Sequence, residues 1–62
     1  MIMFKIEYET EALGQRWLVA EYRDPDDADR IARRLIDDVP DILTTTVVEQ
    51  DGSVYSQWSR KI

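Results

Sequence analysis

Apolar residues recur along this chain in two different periods, and the change of period marks the change of element. Residues 1–10 alternate, with Ile2, Phe4, Ile6 and Tyr8 on one side and Met3, Lys5, Glu7 and Glu9 on the other. That is the pattern of a strand with one buried face. Residues 24–39 instead carry Ala28, Ile31, Ala32, Leu35, Ile36 and Val39, spaced three or four apart. This is one stripe of an α-helix and no pattern a strand can use. Asp24 fits its N-cap, Pro25 its first position, and Asp27 places a carboxylate near the free N–H groups of the first turn. Pro40 ends it.

The segments between and after read as strands. Residues 11–15, EALGQ, connect the first strand to residues 16–23, RWLVAEYR, and Gly14 is the residue there able to take a positive φ. The facing of this second strand is open to two readings. Tyr22 precedes the helix cap and can fold back on the helix, as in a hydrophobic staple, which assigns Leu18, Ala20 and Tyr22 to the core and leaves Trp17, Val19 and Glu21 on the far side. The reverse register buries Trp17. Residues 42–50, ILTTTVVEQ, are β-branched almost throughout. Asp51-Gly52 reads as a two-residue hairpin turn, and residues 53–61 return as a fourth strand. With that turn, Leu43, Thr45 and Val47 share a face with Val54, Ser56 and Trp58, while Ile42, Thr44, Thr46 and Val48 share the other with Tyr55 and Gln57. A three-residue loop with a bulge would mix these sets.

The pattern predicts an α+β fold of order ββαββ: a four-stranded, mostly antiparallel sheet with one amphipathic helix on one face, in a single domain spanning residues 1–62. One helix covers one face. Trp17, Val19, Val48, Tyr55, Lys5 and Glu7 are expected on the other.

Composition narrows the chemistry. A chain of 62 residues buries only about 60% of the surface its unfolded form exposes, so its stability is marginal and a partner chain would help. It has no cysteine and no histidine, which removes disulfides, thiolate metal sites and the commonest general base. There is no Ser–His or glycine-rich phosphate motif, so no catalysis, cofactor or metal is expected. Thirteen acidic against eight basic residues give a net charge of −5. That balance disfavours nucleic acid, whose binding draws on phosphate neutralisation, and permits a basic protein partner. The apolar start MIMF runs at once into Lys5, Glu7 and Glu9, and no run is long enough to span a membrane. The sequence reads as soluble and cytoplasmic.

Three clusters are candidates for function. Trp17, Tyr55 and Trp58 supply aromatic surface suited to an interface, with Asp26, Asp27 and Asp38 steering a basic partner toward it. The run DPDDAD, with Asp24, Asp26, Asp27 and Asp29, concentrates carboxylates but lacks the glycine turn and distal glutamate of a calcium loop. Its better reading is helix capping. Lys5, Arg16, Arg60 and Lys61 can gather beside Trp17 or Trp58 in faint imitation of a single-strand binder. The helix arginines are answered locally by Asp26–Arg30, Asp29–Arg33, Arg33–Asp37 and Arg34–Asp38 pairs one turn apart.

In order and acidity the chain resembles short ββαββ proteins of bacteria and phages and is similar to some phage-encoded inhibitors such as anti-CRISPR proteins. A bias to arginine over lysine, six to two, fits a GC-rich genome of that kind. The resemblance implies an inhibitor or regulator that occupies a partner's surface. The expected function is a noncatalytic protein-binding module, with a structural homodimer built through the uncovered face or edge as the alternative.

Overall fold

The computed structural model describes residues 2–60. Its elements are β1 (Phe4–Thr10), β2 (Gly14–Tyr22), α1 (Pro25–Asp38), β3 (Ile42–Glu49) and β4 (Val54–Ser59). The fold is α+β with the predicted order ββαββ. The sheet runs β2-β1-β3-β4 and every neighbouring pair is antiparallel. β2 and β3 both flank β1 and so run parallel to each other. The helix is the crossover that joins them, which sets it against one face of the sheet.

The helix begins as its sequence requires. Asp24 is extended at φ −97° and ψ 117°, and its carboxylate accepts from the Asp26 N–H at 2.9 Å. Pro25 follows at the first position, and Val39 closes the helix with its N–H on the Leu35 carbonyl at 3.0 Å. Ala28 and Ala32 sit at the centre of the stripe and are fully buried, while Ile31, Leu35 and Ile36 flank them half-buried. Small residues at the centre bring the helix backbone close to the sheet. The buried Thr45 hydroxyl exploits that approach, donating to the Ala32 carbonyl at 3.0 Å. Phe4, Ile6 and Val47 complete the core, with Leu18, Tyr22, Ile31, Leu35 and Trp58 packed around it. Tyr22 therefore faces the helix, as the staple argument required.

Both hairpins have three-residue connections, 11–13 and 50–52, and each uses a glycine with positive φ, Gly14 at +71° and Gly52 at +96°. A side chain at either φ would be strained. For the second hairpin this corrects the expected two-residue turn. Glu49 and Ser53 are joined by a backbone bond of 2.8 Å across Gln50, Asp51 and Gly52. A further register shift between Val47 and Val48 places one extra residue, Tyr55, between Val54 and Ser56. Another, between Glu9 and Thr10, makes Leu43 the extra residue opposite β1. The two sets expected on β3 and β4 are mixed as a result: Ile42 turns into the core, and Tyr55 and Val54 exchange sides. Among the described residues no helix is long and apolar enough to cross a membrane.

Candidate functional site

Of the three candidate aromatics, Trp17 and Tyr55, both expected on the uncovered face, lie on opposite faces, while Trp58 lies on the face expected for it. Trp17 is on the uncovered face, opposite Glu7 on β1, and 52% exposed. Tyr55 and Trp58 lie on the helix side. The bulge at Tyr55 lets its ring meet Phe4 edge-on, with centroids 5.7 Å apart, and its hydroxyl donate to Asp26 at 3.1 Å. Placing Tyr55 on the open face is corrected accordingly. Trp58 donates its indole N–H to Asp29 at 2.9 Å, and the same carboxylate oxygen accepts from the Ser56 hydroxyl at 2.6 Å. Arg33 covers the Trp58 ring, its guanidinium carbon 5.3 Å from the centroid.

Asp26, Asp29 and Arg33 thus form a polar row beside the apolar stripe, and that row faces β4. Asp29 and Arg33 had been expected to pair with each other along the helix. They are drawn instead to the edge strand, whose donors and indole face satisfy them across the fold. Of the four predicted one-turn pairs, only Arg34–Asp38 forms among the described residues, at 3.7 Å. Asp27 joins Arg30 at 3.6 Å. Each acid expected to steer a partner therefore has a local neighbour: Asp26 holds Tyr55, Asp27 faces Arg30 and Asp38 faces Arg34. The DPDDAD carboxylates disperse into capping and cross-fold bonds, and no group of acids among the described residues converges to hold a metal ion.

The cationic group disperses as well. Arg60 belongs to the helix C-terminus, donating to the carbonyls of Ile42 at 3.0 Å, Val39 at 2.9 Å and Ile36. Lys5 is on the open face, 3.7 Å from Glu21. Lys61 lies outside the described residues. Sequence reasoning missed Asp29 and Arg60 as organising residues. For Asp29 a signal existed, since Asp26, Asp29 and Arg33 recur at helical spacing on one flank of the stripe.

Among the described residues, two acid–base groups are perturbed. Asp51 is held below the ordinary carboxylate range by the Ser53 N–H, which it accepts at 2.9 Å in the second turn. The hydrogen bond from Tyr55 to Asp26, helped by the charges of Asp26, Asp29 and Asp24, raises the phenol above its ordinary 10.0. A group whose folded pKa is raised stabilises the fold below its unfolded value and loses that contribution as pH climbs through the folded value. Wild type should therefore resist urea better than Tyr55→Phe at neutral pH, and that advantage should vanish on the alkaline side of Tyr55's raised pKa. An advantage unchanged across this range would show that the bond to Asp26 contributes nothing.

The open face is what the fold leaves available. It carries Trp17, the fully exposed Val19 of β2 and the exposed Val54 of β4, with Val48 and Met3 half-buried between them. In β2 the residues Leu18, Val19 and Ala20 are set against Ile6 alone, and this irregularity pushes Val19 outward. A shallow trough of about 470 Å³ crosses this face, bounded by Trp17 on one side and the second hairpin turn on the other. No protein-family model, curated protein or solved structure matches the chain.

Proposed function

We propose that this chain is a noncatalytic protein-binding module that meets its partner through the uncovered face of the sheet, in the manner of a small bacterial or phage regulator or inhibitor acting in the cytoplasm. The observation that carries this reading is the apolar surface of that face, where Trp17 and Val19 on one edge strand and Val54 on the other are exposed. Tryptophan at a well-supported position is the residue type that most often anchors a protein interface. The acids of the helix and sheet give the molecule a net charge of −5, which favours encounter with a basic surface. Tyr55 and Trp58 support this reading indirectly, because they tie β4 to the helix and hold the sheet in shape.

The test is affinity capture from an extract of the source organism, comparing wild type with a Trp17→Ala, Val19→Ser variant. A partner retained by the wild type and lost by the variant is expected. Equal capture by both would remove the open face from consideration. The second reading, a homodimer through the same face, is favoured by the small core and the uncovered valines. Sedimentation at micromolar concentration separates them: a 7.3 kDa species supports a module awaiting a different partner, and a species of twice that mass supports the dimer.

A further inference from the structure

The trough on the open face has a chemistry of its own, and it is not that of a plain apolar patch. It is lined by Met3, Lys5 and Val48, by Trp17, and by the carboxylates Glu21 and Glu49. The carboxylates outnumber the cation. Lys5 reaches Glu21 through a single contact of 3.7 Å, with both side chains about half exposed (53% and 52%), a pairing that contributes little and is easily exchanged. The protein's other tryptophan shows what an indole beside a carboxylate can hold. Trp58 has the Arg33 guanidinium over its ring and Asp29 at its N–H. Trp17 has carboxylates beside it but, among the described residues, no cation over its ring.

We propose that the trough receives an arginine side chain presented by a partner protein. This rests on the reading of the open face as a protein-binding surface and names what that surface recognises. The arginine's methylenes lie on Val48 and Met3, its guanidinium stacks on Trp17, and Glu21 exchanges Lys5 for the incoming fork. Arginine suits the site better than lysine because its planar cation is weakly hydrated, stacks on an indole and pairs with a carboxylate through two parallel bonds. A second copy of this chain is the poorer occupant. Each copy carries −5, and two of its own arginines are held within the fold: Arg33 on Trp58 and Arg60 on the carbonyls of Ile36, Val39 and Ile42. A phosphate-bearing partner meets Glu21 and Glu49 in the trough and Glu7 opposite Trp17, and is repelled.

The two indole N–H signals of the full chain provide the test in ¹H–¹⁵N spectra. The probe is the capped peptide acetyl-Thr-Arg-Val-Arg-Thr-amide, with its lysine and citrulline analogues as controls. Trp17 should shift saturably with the arginine peptide while Trp58, bonded to Asp29, stays in place. The lysine analogue should bind about threefold more weakly and the neutral citrulline analogue not measurably, as expected for the loss of a stacked, paired guanidinium. Lys5→Met, which frees Glu21 and removes a competing charge, should tighten binding about twofold to threefold. Glu21→Gln should weaken it. The proposal is overturned by a Trp17 signal that does not move, by equal response to arginine and lysine, or by Lys5→Met binding no better than wild type. If Trp17 is silent to the peptide yet Trp17→Ala still loses a captured protein, arginine recognition falls and the open-face interface stands. If capture is indifferent to Trp17→Ala, the interface itself falls.

Discussion

Truncating Ile6 to alanine should leave the chain largely unfolded at room temperature. Ile6 is 0% exposed at the middle of β1, a central strand, and belongs to one core cluster with Phe4, Val47, Ala28 and Ala32. Removing a buried isoleucine down to its Cβ costs about 2–5 kcal/mol, because the lost burial is joined by a cavity the neighbours only partly fill. A single core in a domain of this size supplies about 3–5 kcal/mol in total. One substitution therefore consumes most of the margin. Urea denaturation followed by circular dichroism should show the folded baseline shortened or absent. Val19→Thr is the matched control: the residue is fully exposed on the opposite face, and its replacement should change stability by no more than about 0.5 kcal/mol. An Ile6→Ala protein with a wild-type midpoint would mean that the core is not where the fold places it.

The second large effect is expected at Arg60. The helix ends with Asp37 and Asp38 and no basic residue in its last turn, an arrangement the negative end of the helix dipole disfavours. Arg60, arriving from the far end of the chain, reverses it by donating to the carbonyls of Ile36, Val39 and Ile42. Hydrogen bonds from a charged donor are worth about 1.5–3 kcal/mol when buried and less when water can replace them. Arg60→Met keeps the aliphatic stem and removes the donors, and should cost about 2 kcal/mol. In a domain of this size that lowers the melting temperature by about 8–16 °C. Arg60→Lys should restore only part of the loss, because a single ammonium cannot span carbonyls that a guanidinium fork reaches together. A melting temperature within about 2 °C of wild type for Arg60→Met would show that water satisfies those carbonyls equally well.

These two residues differ sharply in how far sequence exposes them. Ile6 is legible because strand alternation is local: each neighbour states which side it faces. The helix is legible for the same reason, its stripe, its Asp24 cap and its Pro40 stop all lying within one segment. Even the ambiguous second strand yields, because Tyr22 is adjacent to the helix it packs on. Arg60 offers no such clue. Its acceptors lie 18 to 24 residues away, and nothing in SQWSRK marks a residue that will finish another element. The second hairpin fails for an intermediate reason. Asp51-Gly52 announces a turn, but a turn of two residues and one of three share that signature, and the added residue reverses the side chains that follow it until a bulge restores the register. The bulge at Tyr55 undoes the shift, so Tyr55 crosses to the helix and Val54 moves out while Ser56 and Trp58 stay where they are expected, and the bulge at Leu43 turns Ile42 inward. The candidate site was accordingly half legible. Trp17 on the open face followed from Tyr22 and Trp58 on the helix side from its pairing with Thr45, whereas the separation of Trp17 from Tyr55 depended on a bulge that no residue type announces.

The helix does not sit squarely on its sheet. It lies mainly over β3 and β4 and least over β2, and Asp26 and Asp29 fasten it to β4 through Tyr55, Ser56 and Trp58. One border strand is riveted by side chains, while the other hangs from an irregular ladder to β1. Trp17 and Val19 ride on that border, the one the helix braces least. Whatever grips them must also quiet it, and some of the grip's free energy goes into ordering that strand rather than into affinity. Occupancy and rigidity of the domain are thereby linked, and a bound partner makes the whole chain harder to unfold.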